Sequence, residues 1–300
     1  MISPNVSVIM LTYNRERYLP ESIRSVLSQT LQNFELLILD DGSTDNTEAL
    51  IHQINDERIR YFKFDHTAKA STLRNFGINK SNGQFIAFID SDDIWSSEKI
   101  QMQAEALNNH PNVGYSFTDV IEFANDGTVI KYGIYPKIFN TSFEASFFGQ
   151  YVQSKFIIYP SSLIFRKDCL QRIGLLNELF SWTDNDFFHR LAYHYNGFFI
   201  NHKLVRIRKH DENTSSRFGQ ETVMEMLHML ASFHTNGMIN DVIFRKMAAH
   251  YHYLSGISFL RNNNSEMAKK AFVTCTRNNP FNIKAWIRIT LCHLHVRQPS

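Results

Sequence analysis

Three short apolar runs, residues 6–11, 36–39 and 85–89, are nearly unbroken in Val, Ile, Leu, Met and Phe, and they most constrain the fold. A strand with one face in water alternates apolar and polar residues. A continuous run is buried on both faces, as strands of parallel sheets are. Between the first two runs Ile23, Val26, Leu27 and Leu31 recur at helical spacing. Pro20 stands near that helix start, where its missing N–H costs nothing. After the second run Asp45 and Glu48 have the spacing of a capping box opening a helix through Ala49 and Ile54, and residues 59–64 alternate as a strand. Strands separated by helices need right-handed crossovers. The expected fold is therefore α/β, a Rossmann-like, doubly wound, mostly parallel sheet with flanking helices.

Farther along, Ser96 is positioned to cap a helix on which Ile100, Ala104 and Leu107 share a face. Residues 113–123 read as a strand, and Asn125, Asp126, Gly127 and Thr128 form a turn signal before a second strand at 129–135. Residues 136–156 are rich in Phe and Tyr without a period, and are expected as loop and short helix over a site. A strand at 161–165 leads into a short helix that Gly174 ends. From about residue 220 the pattern is helical. Ala268, Ala271, Phe272, Pro280 and Trp286 resemble one tetratricopeptide-like hairpin, without the repeating copies of a solenoid.

Composition removes several classes. A formal net charge of +2, with no dense Lys/Arg run, argues against a nucleic-acid partner. Three cysteines lie far apart without CxxC spacing, which suggests neither a disulfide framework nor a thiolate zinc site and fits a reducing, cytoplasmic setting. The first apolar run has no basic leader or small-residue cleavage site, and no stretch of about 18 apolar residues occurs. The segment from Trp286 to Arg297 is amphipathic and basic. Plain packing of a terminal helix is the first expectation for it, and peripheral contact with the inner face of the plasma membrane the second.

Two acidic clusters follow buried strands, at the edge where open α/β sheets bind ligands: Asp40-Asp41-Gly42-Ser43 and Asp90-Ser91-Asp92-Asp93. Three carboxylates in four residues repel one another, and gathering them at a sheet edge is costly without a cation. Oxygen donors suit Mg2+ or Mn2+, ions that bridge carboxylate and diphosphate and neutralise a departing diphosphate. The plainer alternative is a turn with solvated or capping aspartates. Capping uses one carboxylate, and the second cluster has three. No G-x-G-x-x-G follows the first run, where Thr12, Tyr13, Asn14 and Arg15 stand instead, and no P-loop motif is present.

The string Val6 to Asn14, then Ser25-Val-Leu-Ser-Gln-Thr30, then Phe34 through Asp40-Asp41-Gly42-Ser43-Thr44-Asp45, resembles the opening of the family 2 inverting glycosyltransferases with the GT-A fold. Phe88 to Trp95 is similar to their DxD metal motif, and the resemblance runs from residue 5 to about 215. It implies that Thr12, Tyr13, Asn14 and Arg15 border the nucleotide, that Asp41 binds the base, and that Arg74 faces base or phosphate. Asp92 and Asp93 take ribose and metal in an order left open, while Asp90 and Ser91 belong to the same donor-binding turn, Asp90 as its support. The family's E-D-x-D segment corresponds to Trp182-Thr183-Asp184-Asn185-Asp186. Thr183 replaces the Glu, Asp184 matches the base, and Asp186 and Trp182 fall on the acceptor side. Residues 206–210 resemble the flexible R-x-x-x-H segment, with His210 toward phosphate or metal. Ser161 and Ser162 match a stretch lining the acceptor side.

The resemblance implies a domain over residues 1–215, with a nucleotide-binding half at about 1–110 and an acceptor half at about 111–215, followed by a helical region at 216–300. It also implies a divalent cation (Mn2+ or Mg2+), a nucleoside-diphosphate-sugar donor of the UDP type, and a hydroxyl acceptor on a saccharide or lipid-linked saccharide. The donor sugar, acceptor and linkage stay open. An inverting transfer needs one base to deprotonate the attacking hydroxyl. Two rivals remain. A nucleotidyltransferase would favour a basic, glycine-rich loop in place of residues 12–15. A catalytically silent binding or scaffold protein is disfavoured by intact Asp92, Asp93 and Asp184.

Overall fold

The computed structural model describes residues 4–67, 69–135, 139–179, 183–210 and 219–293. The chain divides into two compact units, Met1–Asp211 and Glu212–Ser300. The expected boundary at residue 215 falls outside the described residues.

The first unit is built on one sheet of ten strands. The strands β1 (Val6–Thr12), β2 (Phe34–Asp40), β3 (Ile59–Lys63) and β4 (Phe85–Asp90) are mutually parallel in the order β3-β2-β1-β4. Helices α1 (Leu19–Leu27), α2 (Thr47–His52) and α3 (Ala70–Lys80) provide the crossovers. Past β4 come the short β5 (Ile94–Trp95), helix α4 (Lys99–Asn109), β6 (Val113–Ala124), β7 (Val129–Tyr132), β8 (Phe143–Ala145), helix α5 (Phe148–Tyr151) and β9 (Leu163–Arg166). Helix α6 (Leu170–Ile173), helix α7 (Thr183–His194) and β10 (Asn196–Lys209) complete the unit. The sheet continues β4-β9-β6-β10-β5, with β9 antiparallel to both neighbours and β6 parallel to β10.

Every residue of β2 is buried because both faces are covered. Alternate side chains feed two cores, as a period of two requires. Ile9, Leu37, Leu39 and Phe88 join Leu73, Phe187 and Leu191 from α3 and α7. Val8, Met10, Leu36, Ile38 and Ile89 join Ile23, Val26, Ile100 and Leu107 from α1 and α4. Helix α3 lies close on the sheet at Gly77, where a Cβ would sit 2.9 Å from both Ile9 Cγ2 and Leu39 Cδ1. Gly174, at φ 71°, ends α6 as expected.

Three local expectations are corrected. Ser96 does not cap α4; the helix starts at Lys99, and Gln29 Oε1 from the end of α1 accepts the Ile100 N–H at 2.9 Å. Asp45 and Glu48 do not form a capping box. Asp45 Oδ1 accepts the Thr47 N–H at 3.0 Å, Glu16 accepts that of Asn46 at 2.9 Å, and Glu48 pairs with Lys63 at 2.6 Å. The aromatic stretch 136–156 contains β8, and its rings build core rather than a lid. Phe139, Phe147 and Phe156 pack with Tyr135 and Phe199 around Phe117.

The second unit is helical: α8 (Gln220–Thr235), α9 (Asp241–Arg261), α10 (Ser265–Asn278) and α11 (Ile283–His293). Asn240 and Asn264 cap α9 and α10 through their side-chain oxygens, at 3.0 and 3.1 Å. Ala249, Ala268, Phe272, Cys275, Ala285 and Ile289 form its core. No helix among the described residues is long and apolar enough to cross a membrane.

Candidate active site

β1 pairs with both neighbours up to Thr12 opposite Asp40 and Leu11 opposite Asp90, so three adjacent parallel strands release their loops at one edge. The two acidic clusters meet there because the register allows nothing else.

In the first loop Asp40 turns inward. Its Oδ1 accepts the Ser43 N–H at 2.8 Å and its Oδ2 the Tyr61 hydroxyl at 2.7 Å. Gly42, at φ 81°, permits the turn, since a Cβ would lie 2.8 Å from the His66 nitrogen. Asp41 Oδ1 accepts the Thr67 N–H and hydroxyl at 2.7 and 2.9 Å, while Oδ2 stands 3.0 Å from His66 Nδ1. The Tyr13 ring, 40% exposed, stacks on His66 with centroids 4.1 Å apart. An exposed, flat ring pair beside a carboxylate is a surface suited to a planar base. Asn14, at φ 51°, is spent on scaffold: its Oδ1 accepts the Thr44 N–H at 2.8 Å. The Arg15 N–H donates to Thr47 Oγ1 at 3.2 Å. Thr12 is buried, and its hydroxyl has no hydrogen-bond partner among the described residues.

The loop after β4 is held from several sides. The Asp93 N–H donates to the Asp90 carbonyl at 3.0 Å, closing the turn. Asp93 Oδ2 accepts the Ser161 hydroxyl at 2.5 Å and Oδ1 the Arg208 N–H at 3.1 Å. Ser161 Oγ in turn accepts the Asp90 N–H at 3.1 Å. Arg208 Nε donates to the Asp92 carbonyl at 3.1 Å, and the far end of its guanidinium pairs with Glu21 at 2.5 Å. Asp92 Oδ2 lies 2.9 Å from His210 Nε2, and the His210 ring stacks on Tyr18 at 4.9 Å. Ser91 is buried in the same turn. Asp92 and Asp93 therefore differ: both oxygens of Asp93 are taken by the scaffold, whereas Asp92 faces an imidazole.

Burial, then Asp92 and Asp90, pushes the Asp93 carboxyl well above the ordinary range. Asp90 is pushed up to about 6, first by the protein atoms crowding it and then by Asp92 and Asp184, with Arg74 opposing; 42% of its side chain still faces solvent. Such repulsion is relieved by a cation.

Helix α3 brings the last group. Thr72 and Asn75 anchor it to Glu178 at 2.9 and 2.8 Å, and Asn75 also exchanges hydrogen bonds with the Leu176 backbone at 3.0 and 2.9 Å. Arg74, between them, has its side chain only 6% exposed and bridges two carboxylates. It donates from Nη2 to Asp90 at 3.0 Å and from Nη1 to Asp184, in the first turn of α7. Phe188 and Leu191, on the Asp184 face of that helix, are buried. Asp184 Oδ2 takes no hydrogen bond from the described residues.

The expected acceptor-side residues fare differently. Ser161 and Ser162 are fully buried, and Ser162 donates to the Tyr159 carbonyl at 2.8 Å; neither presents a surface. Asp186 pairs within α7 with Arg190 at 2.8 Å. Trp182 lies outside the described residues. Residues 206–209 form the end of β10 rather than a flexible segment, with Arg206 over the Phe123 ring. His66, Thr67, Tyr18, Glu21 and Arg208 hold the site without having been singled out. Only Arg208 carried a signal, as part of the segment ending at His210.

A doubly covered sheet with paired acidic loops at its C-terminal edge defines the GT-A class of fold. The model of glycosyl transferase family 2 matches residues 7–174, more than half of the chain, and the chain belongs to that family. A second model, anaphase promoting complex subunit 8 / Cdc23, matches residues 204–298. The UDP-Glc:alpha-D-GlcNAc-diphosphoundecaprenol beta-1,3-glucosyltransferase WfgD of Escherichia coli is 36% identical over 132 residues, 44% of this chain and 51% of that protein. The putative teichuronic acid biosynthesis glycosyltransferase TuaG of Bacillus subtilis is 36% identical over 127 residues, 42% and 50% of the two chains. The chain thus spans about half the length of these curated relatives. The crystal structure of S. aureus TarS in complex with UDP-GlcNAc superposes with a TM-score of 0.71 at 16% identity, covering 98% of this chain and 90% of that one. The mannosyltransferase PcManGT of Pyrobaculum calidifontis, in complex with GDP-Man and Mn2+, gives 0.58 at 14% identity, covering 98% and 81%. At these identities the likeness is one of fold.

Proposed function

We propose that this chain is an inverting glycosyltransferase that moves a sugar from a nucleoside diphosphate to a hydroxyl in a single displacement. One observation carries the reading: Arg74 holds Asp184, the candidate base, and Asp90, of the acidic loop, on one guanidinium, although α7 and β4 are far apart in the chain. A base and a leaving-group site must be neighbours for an in-line displacement.

The Tyr13–His66 pair and Asp41 are placed to take the base. Among the described residues no three metal-binding side chains converge. Two donors, Asp92 Oδ2 and His210 Nε2, stand 2.9 Å apart. At that distance they are a hydrogen-bonded pair, and a carboxylate oxygen and a neutral imidazole nitrogen are both donors that a divalent cation such as Mn2+ takes. The residues fit a divalent cation with Asp92 and His210 as its holders and Asp93 as the residue fixing their loop. A cation held there would supply charge neutralisation to a departing diphosphate. Asp184 Oδ1 stays on Arg74 while Oδ2 accepts the acceptor's proton as its oxygen attacks the anomeric carbon from the opposite side.

The names of WfgD and the TarS complex support a UDP-sugar donor, and that of WfgD a saccharide on a diphosphate lipid as acceptor. The proposed organisation is a transferase domain over residues 1–215 and a helical region over 216–300. Calorimetric titration with UDP tests the donor site. Binding should require Mn2+ or Mg2+ and weaken at least tenfold in Asp92→Asn, from loss of a charged ligand. Metal-independent binding, undisturbed by that substitution, would refute the cation assignment.

A further inference from the structure

Helix α11 is apolar on two faces. Ala285 and Ile289 are buried in the helical core. Ile283, Trp286 and Ile287, spaced i, i+3, i+4, lie on the other face and are 71%, 51% and 54% exposed, and Phe281 just ahead of the helix is 90% exposed. The Trp286 Nε1–H is satisfied by the Pro280 carbonyl at 2.8 Å, so the exposed ring asks for no polar partner. Single exposed apolar residues are ordinary, but four within seven positions form a patch.

Charge identifies what the patch fits. From Met267 to Ser300 the chain has six Lys and Arg residues and no Asp or Glu, although its net charge is only +2; one of the six, Lys270, pairs with Glu266 at 2.8 Å. Lys284 is exposed one position from Ile283, and Arg277 is exposed in the last turn of α10. We infer that this face of α11 docks on an anionic lipid surface, with its apolar side chains among the headgroups and acyl chains and the basic residues on the lipid phosphates. An apolar stripe edged by cations with an interfacial tryptophan is what such a surface selects. A second copy is a poorer occupant, because a two-fold contact through this face would bring exposed Lys284 toward its own copy with no acidic residue of 267–300 to offset it. A nucleic acid would use the cations and leave Phe281, Ile283 and Ile287 in water. The inference rests on this face alone and asks nothing of the donor site.

Sedimentation of the full chain with vesicles tests it. The protein should pellet with phosphatidylcholine vesicles containing phosphatidylglycerol, remain in solution with phosphatidylcholine alone, and be released by salt. Lys284→Gln should weaken partitioning roughly fivefold. Ile283→Ser combined with Ile287→Ser should weaken it more than tenfold without lowering the melting temperature, since both side chains are already in water. Failure to pellet with anionic vesicles would overturn the proposal. So would equal binding to neutral vesicles, binding to RNA but not to vesicles, or a dimer that the double serine variant dissociates while vesicle binding stays intact.

Discussion

Arg74→Lys keeps a cation in the site and removes the fork. The guanidinium spans Asp90 and Asp184 with two separate nitrogens, and one ammonium on a flexible stem does not reproduce that span. One charge-assisted hydrogen bond is lost, worth roughly 1.5–3 kcal/mol when fully buried. The carboxylates are not: Asp90 and Asp184 keep 42% and 29% of their side chains exposed. Screening brings the cost down to about 1–2 kcal/mol, a fall in Tm of roughly 2–8 °C. The larger effect falls on rate. Asp184 sits at the start of α7 with Arg74 as its side-chain anchor among the described residues, and a misplacement of about 1 Å costs on the order of 10²-fold. Transfer kinetics and UDP titration on the same preparation separate two roles. The account predicts a fall in kcat of about 10²-fold with UDP affinity unchanged. A lysine variant with full kcat and weakened UDP binding would show that Arg74 serves the donor directly and would refute its role in placing Asp184.

Two predictions concern stability and one the site. Lys99 is wholly buried, its Nζ lies 3.9 Å from the centroid of the Trp95 ring without a hydrogen-bond partner among the described residues, and burial holds its amine well below the usual lysine range. The unfolded chain therefore binds the proton that the native state releases, and stability rises with pH up to about 10.4. Lys99→Met should stabilise by about 1–3 kcal/mol at pH 7 and flatten that rise, read from urea melts at pH 7 and 9. His189 is buried against Tyr151 and pushed down to about 4 by burial. Its native state stays neutral while the unfolded chain protonates below about 6.5, so acidification from 6.5 to 4 should remove up to about 3 kcal/mol, and His189→Gln should shrink that loss. Asp92→Asn should abolish the dependence of UDP affinity on Mn2+ concentration, and an unchanged dependence would place the ion elsewhere.

Much of the central sheet was legible because strands covered on both faces have no room for polar residues: residues 6–11, 36–39 and 85–89 carry the pattern directly. The acidic loops were legible for the same reason, since they interrupt it. What supports them was not. Arg208 reaches Asp92 and Asp93 from the end of β10, and His66 and Thr67 reach Asp41 from beyond β3; contacts of such separation leave no local spacing to read. Orientation was also hidden. The motif around Ser161 and Ser162 was visible, but a short 3-10 turn before β9 points both inward, and Ser161 becomes a support of Asp93. The aromatic stretch 136–156 was illegible because its rings satisfy a core around Phe117 with no helical or strand period.

The central claim is that Asp184 is the base beside a donor held by the acidic loops. Release of UDP from a UDP-sugar, followed with Mn2+ in the wild-type chain and in Asp184→Asn, tests it most directly. The account predicts that the asparagine variant binds UDP as the wild type does and releases it about 10²–10⁴-fold more slowly, the contribution expected of a general base. UDP release at the wild-type rate from Asp184→Asn would contradict it.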